Sequence, residues 1–452
     1  MSFPRYPAYK DSGVEWLGNV PAHWGVISLV RDIEFITSGA RGWAENYSDD
    51  GDLFIRIGNL TRDSINLDLS DVQRVVVPAS AEVDRTQVRS GDVLFSITAY
   101  LGSVAVVPPD LGKAFVSQHV ALVRPKQRQC ISAWIGYLAI SHVGKTHLET
   151  TGYGGTKVQL SLADVTTMPV LVPPKDEQSQ LVRFLDRETA KIDALVAEQE
   201  QLITLLKEKR QAVISHAVTK GLDPSVPMKN SGVEWLGAVP AHWGLRPLKA
   251  VATFRSGGTP DKRNAEYWDG EVPWVSAKDL KVDRLADSID HITQLALDEG
   301  AASLVPEQAI VVVVRGMILA RLFPVTQLMR PMAINQDLKA LVPRTDVAAD
   351  YLAWLLRASE PETLNCLDEA GHGTKALRME NWGGMAVPVP PIAEQYEIAT
   401  EIDAATRQLD QLVSEAVLSI ELLKERRSAL ISAAVTGQID VRGLAPAQAQ
   451  AA

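Results

Sequence analysis

The feature that most constrains this chain is a long amphipathic segment that occurs twice. The first copy runs from Pro174 to Asp223 and the second from Pro391 to Asp440, at a constant offset of 217 residues. In both copies apolar residues recur at alternating steps of three and four, which is typical of a helix with one apolar stripe. Neither copy contains Pro or Gly for roughly 40 residues, so each helix could span ~60 Å at ~1.5 Å per residue.

The apolar stripe of each helix defines the predicted interface residues. For one amphipathic helix, packing on its own domain is the simpler interpretation. Helices this long outrun a globular domain, so part of each stripe is expected to meet the other helix or another subunit. The predicted subunit-interface residues are Leu185, Ile192, Leu195, Leu202, Leu206 and Val213 in the first helix, and Ile402, Leu409, Leu412, Leu423 and Leu430 in the second.

The repeat extends beyond the helices over nearly the whole chain. The segment Ser12–Gly25, SGVEWLGNVPAHWG, returns at Ser231–Gly244 with one difference. A Gly-Thr-Lys triplet at residues 155–157 likewise returns at residues 373–375. A period of this length indicates a duplicated domain rather than a solenoid of short repeats.

Each half begins with a globular region of mixed secondary structure. Short apolar runs separated by Gly, Pro and Asp predict strands, and apolar segments around Trp134 and Trp354 predict one helix in each half. We therefore predict an α+β fold with two pseudo-symmetric halves, each a mixed α/β domain followed by a long helix. The predicted strands are Leu53–Ile57, Val72–Val77, Asp92–Ile97, Ser103–Val107, Val120–Val123, Trp274–Val275, Ile310–Val314 and Leu338–Val342.

Charge and composition exclude some classes of function. No run of 18 apolar residues exists and the start has no apolar core, so we expect a cytoplasmic protein without a membrane partner. The two cysteines lie at non-equivalent positions, and the eight histidines lack metal-ligand spacing. The net charge of −10, without any basic run, favours a protein partner over DNA when it is considered alone.

The order of motifs along the chain instead favours a DNA-binding function. A Gly-Thr-Lys loop, a strand, a Val-Pro-Pro turn, a Glu-Gln pair and a helix containing Leu-Leu-Lys-Glu and later Ala-Val-Thr occur in this order twice. This order resembles the specificity subunit of type I restriction-modification enzymes. The resemblance implies an N-terminal segment of a circular repeat (1–25), target-recognition domains (26–174 and 223–391), and central and C-terminal conserved helices (175–222 and 392–440). The small, polar residues 441–452 are expected to form a disordered tail.

The resemblance also implies a function. Each recognition domain would read one half of a bipartite target in double-stranded DNA. The long helices, packed as an antiparallel coiled coil, would set the spacer and dock two methyltransferase subunits, and motor/nuclease subunits would complete the complex. S-adenosylmethionine would bind the partner methyltransferase, with no cofactor in this chain. An internally duplicated protein scaffold that binds no DNA remains the alternative, and the acidic charge favours it.

Catalytic and metal-binding residues are not predicted. The three Pro-Pro pairs of the chain lack the Asn or Asp and the aromatic residue of an amino-methyltransferase motif, so this chain is expected to be non-catalytic.

The predicted DNA-binding residues lie in two kinds of loop. The loops after the first strand of each domain mix basic, amide and aromatic side chains, which can reach base edges or stack on bases. The Gly-Thr-Lys loops lack the spacing of a nucleotide-binding loop, which leaves a structural turn or a contact with the DNA backbone. The predicted residues are Arg41, Trp43, Asn46, Tyr47, Arg56, Asn59, Tyr153, Thr156, Lys157, Thr259, Lys262, Arg263, Asn264, Tyr267, Lys278, His372, Thr374 and Lys375.

Overall fold

A computed structural model describes residues 3–78, 82–152, 159–369 and 374–443 of the chain. The chain divides into two compact units. Unit 1 contains Met1–Gln199 and Leu418–Ala452, and unit 2 contains Glu200–Val417. Each of the two long helices therefore contributes one segment to each unit.

Unit 1 contains short strands, short helices and the first part of a long helix. In chain order these are β1 (Tyr9–Asp11), β2 (Asn19–Pro21), β3 (Gly25–Ser28), β4 (Ile33–Ser38), β5 (Tyr47–Ser48), β6 (Asp52–Ile55), β7 (Gln73–Val75), α1 (Glu82–Thr86), β8 (Val93–Ser96), β9 (Val104–Val106), β10 (Ala114–Val116), β11 (Val120–Pro125), α2 (Ser132–Ile140), α3 (His142–Thr151), α4 (Leu162–Thr166), β12 (Pro169–Val172) and α5 (Lys175–Lys220).

Two four-stranded sheets form the core of unit 1. One is antiparallel with the order β4-β11-β8-β9, and the other has the order β10-β6-β7-β5 with β10 parallel to β6. Every residue of β8 is buried, because the two faces of the strand pack on different partners. Phe95 belongs to the cluster that contains Trp134 of α2, whereas Leu94 belongs to the cluster that contains Ile55 of the second sheet.

Unit 2 repeats this plan with additional strands. Its elements are β13 (Met228–Asn230), β14 (Ala238–Pro240), β15 (Gly244–Pro247), α6 (Leu248–Val251), β16 (Ala252–Ser256), β17 (Trp268–Val275), β18 (Arg284–Leu285), β19 (Asp290–Ile292), α7 (Gln294–Asp298), β20 (Leu304–Val305), β21 (Ile310–Val313), β22 (Arg315–Gly316), β23 (Val325–Leu328), β24 (Met332–Ile334), β25 (Leu338–Pro343), α8 (Ala349–Ala358), α9 (Glu360–Leu364), β26 (Leu367–Glu369), β27 (Lys375–Leu377), α10 (Met379–Gly384), β28 (Ala386–Val389) and α11 (Ile392–Val435).

The sheets of unit 2 have the orders β16-β25-β21-β23-β18, β19-β17-β24-β20 and β22-β27-β26. The strands β16, β25, β21 and β23 correspond in order to β4, β11, β8 and β9 of unit 1. The prediction of an α+β fold, with a mixed domain and a long helix in each half, is confirmed.

The duplicated Pro-Ala-His-Trp turn fixes the start of each long helix. In unit 1, Glu177 in the first turn of α5 accepts hydrogen bonds from Trp24 Nε1 (3.0 Å), His23 Nε2 (2.8 Å) and Tyr6 OH (2.5 Å). Carboxylates in a first helical turn also interact favourably with the helix dipole. This geometry gives His23 a structural role.

Unit 2 contains the same arrangement at the start of α11. Glu394 accepts hydrogen bonds from Trp243 Nε1 (2.9 Å) and His242 Nε2 (2.8 Å). The glutamine that follows each glutamate is also used twice. The Gln178 and Gln395 side chains each accept one backbone N–H from the segment before a helix of the domain and donate to two carbonyls. The Glu-Gln pair therefore joins each domain to its helix.

Aromatic donors attach the helices α2 and α8 to the strands before the long helices. Trp134 Nε1 donates to Leu171 O (2.7 Å) in unit 1. At the equivalent position in unit 2, Tyr351 OH donates to Pro388 O (3.1 Å). The carbonyl acceptor is repeated at an offset of 217, while the donor changes from an indole to a phenol.

A second aromatic donor shows the opposite exchange. Tyr137 OH donates to Asp186 Oδ1 of α5 (2.6 Å), and burial together with this bond raises the pKa of Tyr137. In unit 2, Trp354 Nε1 donates to Asp403 Oδ1 of α11 (2.9 Å). The aspartate is again kept at an offset of 217, while Tyr and Trp have changed places.

Glycines in the left-handed region end both long helices. Gly221 (φ +77°) follows α5, and Gly437 (φ +72°) lies just beyond α11. The second helix ends at Val435, so its predicted end at residue 440 was five residues too late. Val441, assigned from the sequence to a disordered tail, is buried in the core of unit 1. Residues 444–452 lie outside the described residues.

The predicted interface stripe is buried within the chain at only one of its two alternating positions. Leu185 and Ile192 in unit 1, and Leu206, Ile402 and Leu409 in unit 2, are buried. The partly buried positions are Val213, Leu423 and Leu430.

Three predicted interface leucines are exposed, namely Leu195, Leu202 and Leu412. The positions one residue later, which include Val196 and Ile203, are partly buried instead. Their exposure leaves these leucines available to another subunit, and spacing alone does not show which of two neighbouring apolar positions is buried within the chain.

Candidate nucleic-acid interface

Several predicted DNA-binding residues of unit 2 lie at one end of its largest sheet. The strand β16 ends there at Ser256, and Thr259 in the following loop donates from Oγ1 to Gln336 Oε1 in the loop before β25. At the same end, Lys375 of β27 pairs with Gly316 of β22, which directly follows β21. Thr259 and Lys375 are therefore presented from neighbouring strand ends.

Exposed carboxylates pair with the predicted cations of unit 2. Lys375 Nζ lies 2.7 Å from Glu369 Oε1, and this hydrogen bond lowers the pKa of Glu369. Lys278 Nζ lies 2.7 Å from Asp290 Oδ2, which raises the pKa of Lys278. Arg263 is paired with Asp261 (3.0 Å). Solvent-exposed pairs of this kind contribute little stability, so a phosphate group can compete for the cation.

Two predicted residues of unit 2 support the loop itself. Asn264 caps the short 3-10 helix Ala265–Tyr267 by accepting from Glu266 N. Tyr267 OH donates to Glu299 Oε2 (2.5 Å), which raises the pKa of Tyr267. These bonds give both residues a structural role, whereas the neighbouring Lys262 is exposed.

In unit 1 the predicted residues are more scattered. Arg41 and Tyr47 are exposed, and Asn46 is partly buried. Arg56 is partly buried and pairs with the exposed Asp71 (3.1 Å).

Two predicted contacts of unit 1 are wrong. Trp43 is only 4% exposed because its ring stacks on Phe54 (centroids 5.8 Å apart) and packs against Phe115. Asn59 is 2% exposed, and its amide is bonded to three backbone groups. Neither side chain has a free face for a base in this conformation.

Four predicted residues lie outside the described residues, namely Tyr153, Thr156, Lys157 and His372. Thr374, next to Lys375, is partly buried.

Sequence reasoning missed two large exposed apolar side chains at the same end of the sheets. Tyr100 in unit 1 is 62% exposed and Met317 in unit 2 is 74% exposed. They follow the equivalent strands β8 and β21 at the repeat offset of 217. The available signal was an apolar residue placed directly after Thr98-Ala99 and Arg315-Gly316, beyond the end of each strand.

A repeated ion pair joins segments of the two long helices inside each unit. In unit 1, Arg427 Nε lies 2.8 Å from Asp193 Oδ1. In unit 2, Arg210 Nε lies 3.1 Å from Asp410 Oδ1. Both partners are repeated at the offset of 217, with their helices exchanged.

Each of these arginines also contacts the domain of its own unit. Arg427 NH1 donates to Asp63 O, and Arg210 NH2 lies 3.0 Å from Asp283 Oδ2. Asp283 also pairs with Arg357, and burial lowers the pKa of Arg357 to about 10. These contacts hold the domain loop against the helices.

Within the described ranges, no group of three or more His, Cys, Asp or Glu side chains could hold a metal ion. Among the helices of the described residues, none is long and apolar enough to cross a membrane.

Comparisons with known proteins agree on one family. The family model described as "Type I restriction modification DNA specificity domain" matches residues 32–205 and 240–419. The chain is similar to the Type I restriction enzyme EcoR124I/EcoR124II specificity subunit of Escherichia coli, with 26% identity over 57% of this chain and 60% of that protein. The match therefore spans less than two thirds of that relative's length.

Two solved chains share the fold. One comes from work on complex assembly and conformational transition of the type I R-M system, with a TM-score of 0.73, 17% identity and coverage of 93% of this chain and 99% of that one. The other is the HsdS subunit from Thermoanaerobacter tengcongensis, with a TM-score of 0.54, 16% identity and coverage of 93% and 98%.

Proposed function

Because this chain belongs to the type I restriction-modification DNA specificity family, we propose that it is the non-catalytic subunit that selects the DNA target of such a complex. Each unit reads one half of a bipartite site in double-stranded DNA. Methylation is carried out by two methyltransferase subunits, which bind S-adenosylmethionine, and cleavage requires further motor/nuclease subunits.

The observation that carries this proposal is a repeated frame with divergent loops. The Glu-Gln pairs, the aromatic donors and the helix ion pairs recur in both units, whereas the loops at the strand ends present different side chains. Two readers of different half-sites need a common support and different contact residues. A protein scaffold without DNA binding would not need the exposed apolar residues Tyr100 and Met317 at equivalent strand ends.

We propose that the long helices pack as an antiparallel coiled coil and act as the spacer between the half-sites. Support comes from the ion pairs Arg427–Asp193 within unit 1 and Arg210–Asp410 within unit 2. Each pair joins an early position of one helix to a late position of the other.

Exposed leucines on the helices supply the proposed docking surfaces for the methyltransferase. Leu195 and Leu422 are exposed in unit 1, and their repeat equivalents Leu412 and Leu205 are exposed in unit 2. Large apolar side chains left in solvent on a helix face are typical of a surface that binds another protein. One such pair in each unit agrees with two methyltransferase subunits per chain.

Target mapping tests the proposed function. The chain is combined with a type I methyltransferase subunit, and methylated adenines are mapped on random DNA. The expected result is a bipartite target, with no methylation by the chain alone. Methylation that is independent of this chain, or a complex that assembles without binding DNA, would favour the scaffold.

An insertion tests the spacer separately. Four helical residues near Gln199, matched by four near Ala416, lengthen both helices by ~6 Å at ~1.5 Å per residue. Four residues turn a helix by about 400°, and coiled coils absorb the remaining ~40°. The spacer should grow by up to about two base pairs at ~3.4 Å each, with unchanged half-site bases. The same residues inserted at Ser225, outside both helices, should leave the spacer unchanged.

A further inference from the structure

Tyr100 and Met317 are the features that the proposed function does not yet explain. Exposed apolar residues are ordinary on protein surfaces when they are scattered singly. These two occupy equivalent positions in separate units, at the strand ends where the predicted DNA contacts of unit 2 gather.

The backbone around Tyr100 is held rigidly. Thr98 forms an antiparallel bridge with Gln159, and Ser103 N donates to Tyr100 O (3.2 Å). Arg62 donates from Nε and NH2 to Leu101 O (3.0 and 2.7 Å), and the Leu101 side chain is buried. Tyr100 is therefore the exposed tip of a loop whose next residue is anchored in the core.

A strained residue lies directly before this tip. Ala99 has φ +61°, in the left-handed region that residues with a Cβ rarely adopt. Such strain persists only where surrounding bonds over-determine the backbone, and it is common at binding sites. The backbone at Ala99 therefore holds Tyr100 at the exposed tip of the loop.

Met317 has an equivalent frame built from different bonds. It begins the 3-10 helix Met317–Ala320, and Leu319 two residues later is buried. On the other side, Arg315 pairs with Ala376 of β27, and Leu377 N donates to Val314 O (2.9 Å). The equivalent hydrogen bond in unit 1 runs from Leu160 N to Ile97 O (2.9 Å). The loops that carry Tyr100 and Met317 are therefore supported by the same backbone hydrogen bond.

Polar side chains flank each tip on the neighbouring strand. Ile97 N donates to His119 O, which places the exposed Gln118 and His119 beside the unit 1 loop. In unit 2, Val314 N donates to Asp337 O beside the exposed Gln336, and Arg315 is also exposed. An apolar tip between amide and charged groups suits a DNA groove, where the polar groups meet base edges and phosphates.

We propose that Tyr100 and Met317 are the wedge residues of the two units, each inserting between neighbouring base pairs of the half-site that its unit reads. This inference rests on the proposed function and adds the contact residue in each unit. An inserted apolar side chain partly unstacks a base step, and the cost depends on the sequence of that step. Tyr100 stacks its ring on a base, whereas the flexible Met317 fills the opened step without stacking.

The test uses the chain assembled with its methyltransferase and the target mapped for the unaltered complex. Tyr100→Ala should weaken binding to that target about tenfold, the loss of one stacking contact. Tyr100→Phe should retain most of the affinity, because it keeps the ring. The control is Val30→Ala, which removes an exposed apolar side chain at the opposite end of β4.

Unit 2 offers a control of the same residue type. Met317→Ala should weaken binding, and Met317→Leu should preserve it. Met329→Ala should have no effect, because Met329 follows β23 at the opposite end of the sheet.

2-Aminopurine placed along the DNA reports unstacking as increased fluorescence. The unaltered complex should show an increase in both half-sites. Tyr100→Ala should abolish the increase in the half-site read by unit 1, and Met317→Ala should abolish it in the half-site read by unit 2, since each variant removes one wedge. The wedge proposal would be overturned if both Ala variants bound DNA with unaltered affinity. It would also be overturned if the variants failed to assemble with the methyltransferase while the complex that did form kept normal DNA affinity. Failure of the unaltered complex to select any bipartite target would instead reject the proposed function.

Discussion

Units 1 and 2 attach their domains to the long helices with the same residues, but they enclose the key carboxylate differently. Glu177 in unit 1 accepts three donors and its side chain is 6% exposed, whereas Glu394 in unit 2 accepts two and is 26% exposed. The third donor, Tyr6, comes from the N-terminal segment, and Arg442 covers its ring at 4.7 Å. The two units therefore share the glutamate and its Trp and His donors, but the glutamate is more buried in unit 1. Equivalent substitutions in the two units should lower the free energy of unfolding by different amounts.

The largest expected difference concerns these two glutamates. Glu177→Ala leaves the buried donors Trp24 and Tyr6, and the exposed His23, without their acceptor, and should lower the free energy of unfolding by about 3–4 kcal/mol. Glu394→Ala should cost about 1–2 kcal/mol, because water reaches the site. Urea denaturation followed by tryptophan fluorescence measures both, with Glu397→Ala on the exposed face of α11 as the control. Equal losses would contradict the comparison.

The glycines after the long helices should differ by a smaller amount. A Cβ on Gly437 would lie 2.3 Å from two atoms of Pro21, whereas one on Gly221 would lie 3.3 Å from the Trp243 ring. Gly221→Ala should cost about 1 kcal/mol from the left-handed backbone alone. Gly437→Ala should cost about 2–4 kcal/mol, since overpacking adds to that strain. Thermal unfolding of the two variants tests the order, and a lower melting temperature for Gly221→Ala would refute it.

The helix ion pairs are expected to differ by still less. The side chain of Arg427 is 9% exposed and that of Arg210 is 25% exposed. Both arginines also contact their own domain, but Arg427 is the more enclosed of the two, so Arg427→Ala should lower stability by about 1–2 kcal/mol. Arg210→Ala should lower it by about 0.5 kcal/mol. Urea unfolding with Arg407→Ala as an exposed-helix control measures the difference, and a greater loss for Arg210→Ala would reverse the comparison.

The smallest effect concerns a pair of unit 2 that has no described counterpart in unit 1. We expect Glu369 to compete with a DNA phosphate for Lys375, so Glu369→Gln should strengthen DNA binding about threefold at low salt. Because the hydrogen bond from Lys375 lowers the pKa of Glu369, the pair is formed above the unfolded pKa of this carboxyl and is lost as pH falls through the lowered value. Filter binding at two salt concentrations tests this, and an unchanged affinity at both would show that Lys375 does not contact DNA.

The apolar periodicity and the internal repeat predicted the architecture well, because each sequence motif occurs in both halves and each copy supports the interpretation of the other. The offset of 217 located both helices, and the Glu-Gln pairs proved to be the residues that bond each domain to its helix. Spacing does not show which of two adjacent apolar residues is buried within the chain: Leu195 is exposed, whereas Val196 is partly buried. Only the packing of neighbouring elements decides which of the two is enclosed.

Residue type predicted the candidate interface less well. Trp43 is the kind of residue that stacks on bases, yet Phe54 and Phe115 hold it in a local aromatic core. Tyr100 is equally aromatic, and only the position of the loop beyond β8 distinguishes it from Trp43. Exposure depends on three-dimensional packing, so composition of a loop does not show which of its aromatic residues reaches outward.

The exchange of Trp134 and Tyr137 with Tyr351 and Trp354 carries an evolutionary consequence. After duplication, selection preserved one hydrogen-bond donor for each acceptor, and it tolerated either ring as the carrier of that donor. Substitution by Phe at any of these sites would remove one donor from a carbonyl or carboxylate, which lowers stability. When recombination joins halves from different relatives, each acceptor therefore needs an aromatic hydrogen-bond donor opposite it, whereas the identity of the aromatic residue can differ.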